Sequence, residues 1–311
     1  MDNPLRGRDL LSLADLTPTE LVYLLDVATA QKRAWARGVR TAPLAGKSIA
    51  LIFQKPSMRT RVSFEVGCVR LGAHPVVMSG NDSAFSRSES VYDTTKVLER
   101  YCDAIVIRTF AQSMVQEIAD VAAVPVINAL TDDHHPCQGL ADLLTIQERF
   151  GRVAGVRLAY VGDGNNMANT YLLGGALAGM SVSIATPPGF ETDTAVVEQA
   201  RAIAEETGAR IEITYDAVEA VTAADVVITD TWASMGQEDE HAQRLEVFRP
   251  YCVDSGLMAH AADAAIFMHC LPAHRGEEVH DDVIDAPYSA VFDEAENRLH
   301  AQKALLSLVL G

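Results

Sequence analysis

The chain is short of cysteine. Its five residues, Cys68, Cys102, Cys137, Cys252 and Cys270, are scattered over 311 positions without paired spacing. An odd, unpatterned set in a chain of this length reads as free thiols in a reducing compartment, not as a disulfide framework. Positive charge is the second shortage. Lys and Arg number 25 against 42 Asp and Glu, a formal net charge of −17. That balance argues against nucleic-acid or membrane binding, which rest on basic patches. Any site for an anionic ligand must therefore be a local cluster of arginines set against a negative background. Long apolar runs are missing too, since none approaches the ~18–20 residues that span a bilayer. The opening segment MDNPLRGRDLLSLADL carries acidic residues where a secretory leader would have its apolar core. A protein of the cytoplasm is the expectation.

What is present is ordinary for a globular protein: 49% hydrophobic and 22% charged residues. At ~150 residues per domain the length predicts two domains. Thr17-Pro18-Thr19-Glu20 reads as a capping box with Pro at the first helical position, and Gly38 as the stop of that helix. Short apolar runs then alternate with helical patterns. Ser48–Phe53, Pro75–Met78, Ala104–Ile107 and Pro125–Ile127 read as buried strands, with helices near 58–71, 88–101, 112–122 and 136–150. A second series follows, with strands at Val156–Val161, Val182–Ala185, Ile211–Thr214, Val226–Thr229, Ala265–His269 and Ala290–Phe292, and a final helix over Glu294–Leu310. This rhythm predicts an α/β fold of two doubly wound parallel-sheet domains, divided near residue 150. In such folds ligands sit beyond the carboxyl ends of the strands, so the turn after each strand is where chemistry is sought.

After the first strand comes Gln54-Lys55-Pro56-Ser57-Met58-Arg59-Thr60-Arg61. A helix opening on Ser57, Arg59 and Thr60 offers free N–H groups, hydroxyls and guanidinium forks together, which suits a phosphate. The plainer alternative is a capped helix whose arginines form surface ion pairs. Arg108 closes the third strand, where it either enters a site or is a solvated loop residue. His135-Pro136-Cys137-Gln138 begins the helix after the fourth strand. A neutral His135 can donate to a reacting carbonyl oxygen. It can also cap the helix or, with His134, bind a metal, although no third ligand stands at suitable spacing.

Gly162-Asp163-Gly164-Asn165-Asn166 has the look of a dinucleotide fingerprint, but Met167 stands where the third Gly belongs and no acid closes the next strand. Asp230 ends a strand shortly before Ser234-Met235-Gly236, where a carboxylate can bind a substrate ammonium or cap a helix. His269-Cys270-Leu271-Pro272 follows a later strand. Adjacent side chains on a strand point to opposite faces, which speaks against a Cys–His nucleophile pair. Arg298 lies one to two turns into the last helix, from which a core-facing side chain returns to the cleft.

Taken in order, FQKPSMRTRVSFEVG, VIRTF, LTDDHHPCQGLADLLTI, VGDGNNMANT, DTWASMGQE, MHCLPAHRGEEV and VFDEAENRLHAQKALL resemble the ornithine carbamoyltransferases of the aspartate/ornithine carbamoyltransferase superfamily. The likeness runs from about residue 50 to the C-terminus. It implies a carbamoyl-phosphate domain over 1–150, with the helix 294–311 packing back on it, and an ornithine domain over 151–293, the two joined by two helices. It further implies a homotrimer, or a multiple of trimers, and no metal or organic cofactor. By resemblance Ser57, Met58 (through its backbone N–H), Arg59, Thr60 and Arg108 hold the phosphate. Thr60, Arg108, His135, Gln138 and Arg298 surround the carbamoyl group. Asn166, Asp230, Ser234 and Met235 hold ornithine, and Cys270 with the Leu271 carbonyl faces the reacting amine.

Two departures stand out. Met58 replaces the usual Thr of Ser-Thr-Arg-Thr-Arg, and Ala84 falls where the family commonly has a Gln that reaches a neighbouring subunit, so that Ser83, Ser86 or Arg87 would have to substitute. The implied chemistry is attack of a neutral δ-amine, whose solution pKa lies near ~10.4, on the carbamoyl carbon. Arg108, His135, Arg298 and Thr60 would stabilise the oxyanion. Holding two substrates in register supplies much of the rate, so domain closure is expected. The competing readings are aspartate carbamoyl transfer, which would want Arg in place of Asp230, putrescine carbamoyl transfer, and a non-catalytic paralogue.

Overall fold

The apolar runs become strands where helices cover both of their faces. The structure, a computed structural model, describes residues 3–79, 85, 89–233 and 241–311. It divides into two units, the first formed by residues up to Leu144 with Glu296–Gly311, the second by Thr145–Ala295. The chain crosses between them inside two helices.

The first unit runs α1 (Pro18–Ala36), β1 (Ser48–Phe53), α2 (Met58–Leu71), β2 (His74–Ser79), α3 (Val91–Tyr101), β3 (Ala104–Arg108), α4 (Gln112–Val121), β4 (Val126–Leu130) and the start of α5 (Pro136–Phe150). Helix α1 begins on its capping box: the Thr17 hydroxyl accepts from Glu20 N–H at 3.2 Å and the Glu20 carboxylate accepts from Thr17 N–H at 2.8 Å. Strands β1 and β3 are buried almost throughout, as strands covered on both faces must be. All pairings are parallel and the order is β2-β1-β3-β4. The order reverses between β1 and β3, so a crevice opens beyond their carboxyl ends. A register shift places Ile107 opposite Asn128 but Arg108 opposite Leu130. Such an irregularity re-aims the side chain that follows it.

The second unit continues with β5 (Arg157–Val161), α6 (Asn166–Leu177), β6 (Ser181–Ala185), α7 (Thr194–Thr207), β7 (Arg210–Thr214), α8 (Ala217–Val221), β8 (Val226–Ile228), α9 (His241–Phe248), α10 (Ser255–Met258), β9 (Ile266–Met268), α11 (Asp281–Ile284) and the start of α12 (Val291–Leu310), the rest of which belongs to the first unit. Its parallel sheet has the order β7-β6-β5-β8-β9, reversing between β5 and β8. Helix α6 is buried on every side from Met167 to Leu177. Gly175 lets it lie against β6, since a Cβ there would come within 2.2 Å of Val182 Cγ2.

One expected strand is absent from the described residues. Ala290–Phe292 is not a strand: Ser289 makes an isolated bridge to Phe267, and α12 starts at Val291, three residues earlier than the spacing predicted. A three-residue apolar run fits a strand end and a buried helix start equally well. Among the described residues no helix is long and apolar enough to cross a membrane.

Candidate active site

In the first unit the candidate residues gather beyond β1, β3 and β4. Ser57 takes the N-cap position of α2 with extended backbone, yet its hydroxyl does not cap the helix. The first in-helix bond is Arg61 N–H to the Ser57 carbonyl at 3.3 Å. The N–H groups of Met58, Arg59 and Thr60 therefore have no acceptor within the helix. The ion-pair alternative separates the two arginines. Arg61 pairs with Glu65 one turn on at 2.6 Å, whereas no carboxylate among the described residues pairs with Arg59. Met58 is 69% exposed.

Arg298, from α12, is buried and fixed at both ends of its fork. It donates to Gln138 Oε1 at 2.6 Å and to Thr60 Oγ1 at 2.9 Å. Gln138 is held in turn, its Nε2 donating to Asp142 Oδ1 at 2.8 Å. Three helices, α2, α5 and α12, thus share one polar chain. Arg108 is buried at the end of β3 and His135 just before α5. Burial pushes the His135 imidazolium well below the ordinary range, and Arg298 and Arg108 push it the same way. Its neutral form is the one present near pH 7, able to donate a hydrogen bond without adding charge.

In the second unit the centre is a carboxylate. Asp230, buried two residues beyond β8, accepts from Asn165 Nδ2 at 3.0 Å and from the Cys270 thiol at 3.2 Å. Asn165 is the N-cap of α6, its Oδ1 accepting from Met167 N–H at 2.8 Å while its amide turns to Asp230. Asn166 opens the same helix, and its carbonyl accepts from Thr170 at 2.7 Å. The glycines before it serve packing: a Cβ on Gly164 would lie 2.4 Å from the Glu191 carbonyl carbon. Asp163 pairs with buried Arg244 at 2.8 Å. Burial nevertheless outweighs that cation and pushes the Asp163 carboxyl up to about 6. Ser234 and Met235 lie outside the described residues, as do Ser83, Ala84, Ser86 and Arg87.

His269 and Cys270 correct the strand-alternation argument. Strand β9 ends at Met268, so the alternation no longer governs them, and their donor atoms lie within 4.8 Å of each other and of Asp230. The imidazole is committed elsewhere. Leu271 N–H donates to His269 Nδ1 at 2.9 Å, so the proton is on Nε2, which donates to Glu278 at 3.3 Å. Neither ring nitrogen is free to take the Cys270 proton, and that is the reason no nucleophile pair forms. In the Asp230–His269–Cys270 cluster both ring nitrogens of His269 are thus already hydrogen-bonded. At a second cluster, His274–Glu277–Glu278, Glu278 is already bonded to His269 and to His274 N–H. Leu271 sits in the left-handed region at φ 58°, which fixes the direction of its carbonyl.

Several residues of the site escaped the sequence reading as functional. Lys55, buried beyond β1, pairs with Asp132 and lies 4.3 Å from the Phe110 ring centroid. The rule that singled out Arg108, a charge just past an apolar strand, applies to it equally. Asn165 carried an N-cap signal. The Asp163–Arg244 pair, 81 residues apart, carried none.

Comparison with known proteins agrees over the whole chain. Residues 8–148 match the model of the aspartate/ornithine carbamoyltransferase carbamoyl-P binding domain, and residues 154–309 that of the Asp/Orn binding domain. An ornithine carbamoyltransferase of Carboxydothermus hydrogenoformans is 54% identical over 306 residues, 98% of each chain. The solved ornithine carbamoyltransferase from Pyrococcus furiosus superposes with a TM-score of 0.96 at 50% identity, covering 99% of this chain and 98% of that one. That from Gloeobacter violaceus gives 0.88 at 49% identity, covering 98% of this chain and 100% of that one.

Proposed function

Because the chain belongs to the aspartate/ornithine carbamoyltransferase family, we propose that it transfers the carbamoyl group of carbamoyl phosphate to the δ-amine of L-ornithine, giving L-citrulline and phosphate. One observation carries the choice of amine: the second unit offers a buried carboxylate, Asp230, where a dicarboxylate substrate would need a cation. A carboxylate there suits the α-ammonium of ornithine, and repels aspartate.

In this reading the first unit takes carbamoyl phosphate. Arg59, Ser57 and the N–H groups of 58–60 hold its phosphate with Arg108. Arg298, Thr60, Gln138 and His135 hold the carbamoyl group. The neutral amine attacks the carbamoyl carbon, and negative charge develops on its oxygen. Fixed donors aimed at that oxygen lower the barrier, typically by ~2.7–4 kcal/mol for each one. The tetrahedral centre collapses by breaking the C–O bond to phosphate, and the departing phosphate accepts the amine proton. Asp230 with Asn166, Ser234 and Met235 holds ornithine, and Cys270 with the Leu271 carbonyl faces its amine. No step calls for a metal or organic cofactor.

Self-association as a homotrimer, or a multiple of trimers, belongs to the same proposal. Exposed apolar side chains on α2 and α3, among them Met58, Val62, Val69, Tyr92 and Tyr101, support it. A cytoplasmic setting, in keeping with five free cysteines, and a place in arginine metabolism belong to the proposal as well. The test is a citrulline assay with ornithine, putrescine and aspartate offered in parallel. Preference for ornithine is expected, and a preference for either other amine would overturn the substrate.

A further inference from the structure

Three cations converge on one indole in the first unit, far along α2 from Arg59. Trp35 stands near the end of α1. Arg40 Cζ lies 3.5 Å from its ring centroid, Arg70 Cζ 4.2 Å and Lys303 Nζ 5.3 Å. Arg40 comes from the loop after α1, Arg70 from the last turn of α2 and Lys303 from α12. Lys303 is only 4% exposed. Its stem runs beside Gly67, where a Cβ would meet Lys303 Cγ at 3.4 Å. Burial pushes its ammonium below the usual lysine range, and Arg70 and Arg40 add to the push.

Cation–π attraction explains one stacked guanidinium. It does not explain three like charges on one ring, since each repels the others. Their counter-charge is missing from the described residues. Arg40 donates to the Trp35 and Val39 carbonyls at 2.8 and 3.1 Å, and no carboxylate among the described residues pairs with Arg40, Arg70 or Lys303. Other cations of this unit do have acids beside them: Arg61 has Glu65 and Lys47 has Asp103. An acid-free triad is out of keeping with a chain of 42 acidic and 25 basic residues. The carboxyl ends of α1 and α2 supply roughly half a negative charge each. That leaves about two positive charges without compensation, the charge of a doubly ionised phosphate.

We infer that Arg40, Arg70 and Lys303 around Trp35 form a binding site for a small phosphate-type oxyanion, separate from the active site. Arg70 lies eleven residues beyond Arg59 on the same helix, about 16 Å at 1.5 Å per residue. Two guanidinium forks and one ammonium match the oxygens of such an anion. Bound there, the anion links α1, α2 and α12, and so stabilises the helices that carry Thr60 and Arg298.

Equilibrium dialysis of the full-length protein against inorganic phosphate at low ionic strength tests this. Two sites per chain are expected in the wild type. Arg40→Gln, at an exposed position that leaves the fold intact, should weaken one of them at least tenfold, and Arg40→Gln with Arg70→Gln should remove it without changing turnover. Arg59→Gln should weaken the other and leave this one. A single site in the wild type that is lost with Arg59→Gln would overturn the inference. So would two sites whose affinities are unchanged in the Arg40→Gln/Arg70→Gln protein.

Discussion

The two units put opposite charges at the same topological place. In the first, arginines stand beyond the strands that flank the β1/β3 reversal, around a histidine held neutral. In the second, a carboxylate stands beyond β8 at the β5/β8 reversal, gripped by an amide and a thiol. One architecture therefore serves two ligands of different charge, and the sign is decided by a few residues just past the strand ends. What the halves share is support. Arg298 is aimed by Gln138 and Thr60, Asp230 by Asn165, and in each case the orienting residue belongs to a helix that begins at the crevice.

The sharpest break in this picture is Arg298→Lys. The charge survives, but a lysine cannot hold Gln138 and Thr60 together as the fork does. Loss of an aimed oxyanion donor costs ~10²–10³ in kcat, and the upper end is expected because Gln138 loses its partner too. Steady-state kinetics giving a kcat within tenfold of the wild type would show that the polar chain through α2, α5 and α12 is structural only.

The corresponding break in the second unit is Asp230→Asn, nearly isosteric and uncharged. Removing one member of a largely desolvated charge pair costs ~3–5 kcal/mol. At ~1.4 kcal/mol per tenfold, kcat/KM for ornithine should fall at least ~100-fold. Intact ornithine kinetics would remove Asp230 from the site. A smaller effect is expected at Arg59. Arg59→Lys trades a bidentate fork for a point charge, a loss of ~1.5–3 kcal/mol. Saturation by carbamoyl phosphate should then need roughly 10- to 100-fold more substrate, with kcat less affected. Unchanged saturation would contradict the phosphate assignment.

Asp163 refines the comparison through stability. Its carboxyl titrates near 6 in the folded protein against 3.8 when free. Between these values the folded state keeps a proton that the unfolded state has released, so stability falls as pH rises through that window. The slope contributed approaches ~1.4 kcal/mol per pH unit. Asp163→Asn should flatten it, as read by denaturant unfolding at pH 4.5 to 6.5. His135 acts in the opposite sense: its depressed value removes stability as pH falls below ~6.5. An unaltered pH dependence in the Asn variant would mean that Arg244 keeps Asp163 ionised throughout.

Much of this was legible in the sequence because the fold turns one-dimensional pattern into position. An apolar run buried on both faces becomes a parallel strand, and the polar residue that ends it faces the crevice. Arg108 and Asp230 were picked out by that rule and Lys55 would have been, whereas His135 was picked out by the helix start at Pro136 that follows β4. Arg298 was placed by counting turns along α12. The rule gives no access to residues that arrive from a distant helix. Arg244 reaches Asp163 from α9, and Glu278 accepts the hydrogen bond of His269 Nε2–H from the loop before α11. The short run Ala290–Phe292 misled because three apolar residues do not distinguish a strand from the first turn of a buried helix.

The division of charge between the units makes one claim that a single measurement reaches. Titration calorimetry of carbamoyl phosphate into the Asp230→Asn protein isolates the first half-site from the second. Affinity within about twofold of the wild type is expected, a difference below ~0.5 kcal/mol, in a protein whose ornithine turnover has collapsed. Carbamoyl-phosphate affinity that falls along with ornithine turnover would contradict it.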